Sequence, residues 1–501
     1  MRLTLLLLAL GAAAAAQDVL VVAPEAWRPA LGEWLERRAA QGRSVAVRPP
    51  EEDLAALVRR IHGEGGGGLR FVLLLGDVDR VPCAHRPGET IAPHERDPRI
   101  ATDHLLADLD GDLLPDLAVG RLPAHSADEA AAMLARGLAY EASRDFGPWR
   151  SRVNVIAGVG GFGMLQDWAL ELAARTFLTR NVPDAARLSV TWASVGSPYC
   201  PPPEEFADVA LERFNEGALL VAYLGHGHSQ SLDRVRDGDR TWPIFGADRV
   251  GRLQAGHGAP LAVFIACSTG QFDAARDCLA EAMLRAPGGP VAVLAASRVS
   301  MPYANGVFAK ELLDALYAGG APTAGELLLL AKRRLVDPAP GDEGRARIET
   351  LAAAFYQGDE ALRRKERVEH LFLYNLFGDP TLALARPAEA SVDCAAEVAR
   401  GGRLKVAGTC PGRAGEALVE LLAPRGRTPA PRRSDDRAEW RRAYREANRW
   451  EVAAARAPVA DGAFRAELHV PADLEPGTYA VRVFVEGPAG AASAGRKVEV
   501  R

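Results

Sequence analysis

Two stretches constrain this chain more than any other feature: residues 218–230, ALLVAYLGHGHSQ, and residues 260–273, PLAVFIACSTGQFD. Each opens as a short apolar run without alternation, the pattern of a strand buried on both faces. Each stops at a reactive side chain among small residues: His226-Gly227 in the first, Ala266-Cys267 in the second. Such strands belong to parallel sheets flanked by helices, where ligands bind beyond the carboxyl ends of the strands. If the two strands are neighbours, ~4.8 Å apart, an imidazole and a thiol share one rim. That is the arrangement of a cysteine nucleophile with its histidine.

The rest of the chain supports such a sheet. Apolar runs at 19–23, 44–48 and 70–76 alternate with helical stretches at 27–41 and 51–62. A β-α-β-α-β series implies parallel pairing with right-handed crossovers. Residues 103–122 differ: an Asp110-Gly111 turn between two short runs is a hairpin signal. A helix over 126–143 ends at the break 145–148. A second alternation then places strands at 152–157, 188–193 and 290–296 around the histidine and cysteine strands. Its helices are expected at 165–179, 204–215, 277–285, 307–317, 324–335 and 343–356, with a further helical stretch between the histidine and cysteine strands. The unit closes at 373–385. From Pro387 short alternating runs separated by turn residues predict a β-sandwich. Inside it, residues 425–449 hold nine arginines and Trp440. They read as a solvated helix or loop insertion, open to an arginine-seeking protease. The GGGG run at 65–68 follows a helix and lacks the Lys-Ser/Thr of a phosphate loop, so it reads as a connection.

The 501 residues suffice for several domains, and 48% hydrophobic with 25% charged content describes an ordinary globular protein. A net charge of −5 points to neither nucleic acid nor a membrane surface. The start, MRLTLLLLALGAAAAAQ, reads as a signal peptide: Arg2, an apolar core, then small residues ending near Ala16. It is shorter than the roughly 20 apolar residues a membrane span needs. Export to the cell surface, the periplasm or the medium is expected. Of six cysteines, Cys394 and Cys410 are candidates to pair, and no zinc spacing occurs.

The chain resembles the gingipain-type cysteine peptidases, family C25 of the caspase-like clan. The resemblance rests on His226-Gly227 and ACSTGQFD, which continues into CLAEAMLRAPGGPVAVLAASR (278–298). It also rests on LLLGDVDRVP (73–82), TDHLLADLDGDLLPDLAVGRLP (102–123) and NLFGDPTL (375–382), in order over 19–385. It implies an α/β protein of two caspase-like subdomains, with largely parallel sheets flanked by helices, followed by an all-β immunoglobulin-like sandwich. The expected division is a signal peptide 1–16, an N-terminal subdomain 17–148, a catalytic subdomain 149–386 and the sandwich 387–501. Against the family layout, the first strand follows the leader directly and one sandwich closes the sequence. Zymogen control and secretion route therefore do not carry over.

The expected activity is that of an exported cysteine endopeptidase acting on a protein or peptide, with no cofactor in catalysis. Cys267 is the candidate nucleophile and His226 the group that protonates the leaving amine. The Gly227 and Cys267 amides would form the oxyanion hole. The resemblance implies an acid that orients the histidine, with Asp167 the candidate and Glu171 the second. Two rivals stand beside this reading. One is a binding or assembly protein that keeps the fold. The other is a metal-dependent hydrolase using His226 and His228, with Asp233 or Asp273 as oxygen ligands. Asp233 and Asp273 are also candidates to face a basic substrate side chain. Asp108, Asp110, Asp112 and Asp116 gather carboxylates that suit Ca²⁺ or a solvated Asp-Gly turn; the resemblance implies calcium dependence.

Overall fold

The computed structural model describes residues 17–159, 181–356, 358–425, 434 and 436–501. The leader, 1–16, and the helix expected at 165–179 lie outside them. Ten strands build one sheet: β1 Val19–Val22, β2 Val45–Arg48, β3 Phe71–Leu75, β4 Ala118–Leu122, β5 Arg152–Ala157, β6 Arg187–Trp192, β7 Leu220–Leu224, β8 Leu261–Ile265, β9 Ala292–Ala296 and β10 Tyr374–Phe377. Their spatial order is β2-β1-β3-β4-β10-β9-β8-β7-β5-β6. The central strands FVLLL, LAVFI and AVLAA are buried at every position, as unbroken apolar runs require. Helices cover both faces. Some helix starts are written in sequence: Asp53 caps helix Leu54–Glu64 and Ser126 caps helix Ala127–Ala142.

The two α/β halves are continuous through β10, which is parallel to β4 and antiparallel to β9. The halves therefore run in opposite directions. The family-like motifs of the first half converge on this seam. Arg121 forms a buried bidentate pair with Asp103 and donates to the carbonyls of Gly76 and Val81. Asp379 accepts from Trp34 Nε1 at 2.6 Å and Arg38 Nη2 at 2.8 Å, tying the end of β10 to helix Gly32–Ala40. Gly120 has no alternative here, since a Cβ would lie 2.4 Å from the Gly378 carbonyl oxygen.

Several expectations are corrected. Asp110-Gly111 is no hairpin turn between paired strands; it tips a loop closed by Asp116 and Leu117 N–H donating to Ala107 O. Between β7 and β8 there are two short antiparallel ladders and a 3-10 helix in place of a longer helical stretch. The Asp237-Gly238-Asp239 turn, with Gly238 at φ +58°, folds Arg234–Asp237 onto Arg240–Pro243. A helix absent from the sequence reading, Glu360–Leu373, runs directly into β10. Its buried face carries Arg363, Glu366, Arg367, Glu369 and His370, so no apolar period marks it.

Past residue 386 two β-sheets enclose a core of their own. One contains Gly415–Leu422, Glu451–Val459, Gly477–Gly487 and Gly490–Val500; the other contains Asp393–Cys394, Arg403–Thr409 and Ala463–His469. All six cysteines are free thiols. Cys394 sits opposite Val406. Cys410 lies four residues on, roughly 13 Å along the strand, beyond the ~7 Å reach of a disulfide. The described part of the arginine-rich insertion from 436 onward is not a solvated excursion. Its helix, Arg437–Ala447, buries Trp440 and Tyr444 against the sheet. Trp440 Nε1 donates to Cys200 O at 2.8 Å, and Tyr444 meets Thr191 Oγ1 at 2.7 Å. Asn448 takes the Val190 N–H and returns a donor to Val190 O, so it caps the open edge of β6. Arg437 and Arg441 pair with Glu204 and Glu205. Among the described residues no helix is long and apolar enough to cross a membrane.

Trp440→Ala empties a buried indole site at this edge. It should cost about 3 kcal/mol, seen as a lower midpoint in denaturant unfolding, with aggregation of the uncovered β6 edge in light scattering.

Candidate active site

β7 and β8 pair in parallel from Leu220↔Leu261 to Leu224↔Ile265. Two residues past each end come His226 and Cys267, so the register delivers them to one rim at one level. The Gly225 N–H donates to Ile265 O at 3.2 Å beyond the last pair. Tyr223 Oη donates to His226 O at 2.8 Å and fixes the histidine turn from below. The decisive contact is at Gly227: a Cβ there would stand 2.6 Å from the Cys267 carbonyl oxygen and 2.9 Å from Ala266 Cβ. The two tips touch backbone to backbone, which only glycine permits. His226 and Cys267 are both half-buried. The structure thus packs Gly227 on Cys267 and places His226, the residue before it, at the same rim.

The residue after Cys267 turns the chain sharply. Ser268 has φ +56°, a left-handed conformation costing about 1 kcal/mol outside glycine. Its N–H then donates to Arg298 O at 3.0 Å, and Gly270 N–H donates to Ala296 O at 2.8 Å. The cysteine loop therefore lies along β9 and its extension. That extension supplies Ser300, whose N–H donates to Cys267 Sγ at 3.3 Å and whose Oγ lies 3.8 Å from it. Burial pushes the Cys267 thiol pKa up, and the Ser300 donors pull against it.

Other candidates fall differently. Asp273 is committed: Arg298 holds both its oxygens, at 2.7 and 2.5 Å, and His85 Nε2 lies 3.0 Å away. Burial alone would raise its pKa, but those bonds outweigh it and hold the carboxyl low. It is therefore not a free counter-charge for a substrate. Asp233 Oδ1 accepts the Arg234 N–H at 2.7 Å. His228 is exposed and faces Ser231 in a two-strand turn, Gly227–His228 against Ser231–Leu232. Among the described residues neither His226 nor His228 joins a cluster of three metal-capable side chains. Asp167 and Glu171 lie outside the described residues. Ser300, Arg298 and Glu95, which accepts the Val299 N–H at 2.8 Å, were missed by sequence reasoning. For Arg298 and Ser300 the only signal was their place in, or just after, the AASR segment at the end of β9; Glu95 carried none.

The aspartate loop is partly assembled. Asp108, Asp110 and Asp116 bring one oxygen each within 4.8 Å of one another; Asp112 is not in the group and accepts the Leu114 N–H instead. Asp108 also accepts from Gly111 and Leu113 N–H, and Asp116 from Leu109 N–H. An all-oxygen trio with lone pairs to spare fits a hard cation such as Ca²⁺. The loop is anchored from beneath: Leu113, at φ +74°, gives its carbonyl to His104 Nε2 at 2.9 Å, and His104 Nδ1 faces Lys332 Nζ at 3.3 Å.

A histidine and a cysteine on adjacent tips of a helix-flanked parallel sheet define a site of the cysteine-peptidase type. The model of peptidase family C25 matches residues 12–385, and the chain belongs to that family. It is 24% identical over 247 residues to gingipain R2 of Porphyromonas gingivalis, covering 48% of this chain and 30% of that protein. To gingipain R1 of the same organism it is 24% identical over 247 residues, covering 48% and 22%. The chain thus spans less than a third of the length of these curated relatives. The crystal structure of the Arg-specific cysteine proteinase gingipain R matches at a TM-score of 0.56 and 18% identity, covering 97% of this chain and 98% of that one. The complex of P. gingivalis RgpB pro- and mature domains matches at 0.54 and 17%, covering 97% and 100%. These likenesses establish the shared fold.

Burial, opposed only by the Asp103 charge, holds the Lys332 amine down to about 7 from its ordinary 10.5. The unfolded chain therefore binds a proton that the folded chain declines between those values, and this group's contribution to stability rises with pH across that window. Lys332→Met should flatten that rise, checked by denaturant unfolding of both proteins at several pH values between neutral and about pH 10.

Proposed function

We propose that the protein is an exported cysteine endopeptidase that cleaves proteins or peptides through Cys267 and His226. The observation that carries this reading is the glycine contact, which sets the two tips side by side with no side chain between them. The Cys267 thiolate attacks the scissile carbonyl carbon. The N–H groups of Gly227 and Cys267 hold the oxyanion, each donor worth ~3 kcal/mol in the transition state. His226 protonates the departing amine. Water, deprotonated by His226, then hydrolyses the thioester and restores the thiol. An acid that orients His226 is assigned to Asp167, with Glu171 second, from the resemblance alone. Export rests on the leader at 1–16 and on kinship with the gingipains.

The binding-protein reading gives no reason for a reactive pair kept at touching tips. The metal reading has two histidines facing apart in use, one at the rim and one exposed in the turn. Cys267→Ala should lower kcat/KM on a fluorogenic peptide library by at least about a thousandfold, and iodoacetamide should label Cys267 and abolish hydrolysis in step. Cleavage that survives alkylation yet stops on chelation would sink the proposal in favour of a metal hydrolase.

We further propose that Asp108, Asp110 and Asp116 hold a structural Ca²⁺. The three carboxylates repel one another, and a divalent cation would relieve that repulsion while contributing nothing to the bond cleavage itself. Calcium should raise the melting temperature, and Asp110→Asn with Asp116→Asn should remove that shift; an equal shift in the double variant would count against the assignment.

A further inference from the structure

The thiolate of Cys267 has a second source of stabilisation beside the histidine proposed to take its proton. The sulfur sits in a mostly buried position at the end of β8, and burial disfavours a charged sulfur. Ser300, itself buried, faces it from the extension of β9 with every polar group it has. Its N–H donates to Sγ at 3.3 Å, its Oγ lies 3.8 Å from Sγ, and its carbonyl accepts from the thiol at 3.7 Å.

The hydroxyl's direction is set from behind. Asn305 Nδ2 donates to Ser300 Oγ at 2.8 Å, which occupies an oxygen lone pair and leaves the hydroxyl proton to point elsewhere. Asn305 is held in that orientation by Tyr374 Oη, which donates to its Oδ1 at 2.6 Å. Tyr374 opens β10 and is fully buried, and Asn305 stands in the first turns of helix Pro302–Tyr317. Tyrosine, asparagine and serine thus form a chain of three side chains that ends at the sulfur.

We propose that Ser300 is a thiolate-stabilising residue of this peptidase, donating both its N–H and its O–H to ionised Cys267, with Asn305 and Tyr374 positioning the hydroxyl. This rests on Cys267 being the nucleophile. On ionisation the S–H bond to the Ser300 carbonyl is lost and the proton passes to the His226 imidazole, which later delivers it to the leaving amine. The sulfur keeps two donors, which act in addition to the imidazolium that the transfer creates. Charge-assisted hydrogen bonds of this kind are about twice as strong as neutral ones. The direction of the Ser300 effect on the thiol agrees, since its donors are the leading influence opposing burial.

The test is the pH dependence of iodoacetamide alkylation at Cys267, followed by mass spectrometry, in the full chain. Ser300→Ala should move the alkylation midpoint up by about half a pH unit or more and slow labelling at neutral pH about threefold or more. Ser300→Thr, which keeps the hydroxyl, should restore both. Tyr374→Phe removes the hydroxyl that holds Asn305 and that also meets the Ser300 side chain, and should shift the midpoint the same way; it carries the test if Ser300→Ala does not fold. A Ser300→Ala profile that overlays the parent, with Cys267 still labelled and still essential, overturns the Ser300 role alone. Unlabelled Cys267, or hydrolysis that survives Cys267→Ala, instead overturns the nucleophile on which it rests.

Discussion

Everything at the rim depends on two strand ends being pressed together with no side chain between them. A parallel pair holds its strands ~4.8 Å apart along the ladder, but beyond the last hydrogen bond nothing obliges the tips to stay close. Here they close further, so that the α-carbon of Gly227 packs on the Cys267 carbonyl with no room for a methyl. This fixes two things at once. It puts His226 and Cys267 at the same level of the rim, because each lies two residues past a paired position. It also keeps the surface between them free of bulk. The rigidity comes from the fully buried β8 and β9 beneath, and the Ser268 strain is the local cost of turning the chain so sharply after the cysteine.

The first half of the sheet carries none of these reactive groups, yet its motifs are among the most distinctive in the chain. Their work is to hold β10. Arg121 is fully buried, and its partner Asp103 and the carbonyls of Gly76 and Val81 satisfy it. Asp379 is likewise satisfied by Trp34, Arg38 and the Thr381 N–H and hydroxyl. Removing one partner from such a pair strands a buried charge, typically at 3–5 kcal/mol. β10 in turn flanks β9, whose extension lies under the cysteine loop. A defect at Asp379 is therefore transmitted to the rim through two neighbouring strands, with no contact to the reacting atoms.

What the sequence made legible follows from burial. Strands β3, β7, β8 and β9 announce themselves because both faces are covered, leaving uninterrupted apolar runs. His226, Gly227 and Cys267 were legible because they sit where those runs stop. The helix Glu360–Leu373 was invisible for the opposite reason: it buries charge. Glu369 accepts from Thr90, and Arg367 meets Glu360, Glu349 and Tyr303, so the buried stripe looks polar. The arginine-rich insertion misled in the same way. Its charge count suggests a solvated loop, yet Trp440, Tyr444 and Asn448 settle on the edge of β6. The joining of the two halves through a single antiparallel strand was equally hidden, because YNLF fixes neither its neighbours nor its direction.

The electrostatics of the rim explain why dipoles matter there more than charges. Arg298 is the nearest obvious source of positive potential in the loop that follows β9, but both its terminal nitrogens are spent on Asp273. Glu95, reaching over from the first half to the Val299 N–H, adds negative potential that opposes ionisation of the thiol. Among the described residues, these two charges together give little help to a thiolate at Cys267. Fixed N–H and O–H groups avoid that difficulty, because their orientation is settled when the protein folds and costs nothing as charge develops on the sulfur.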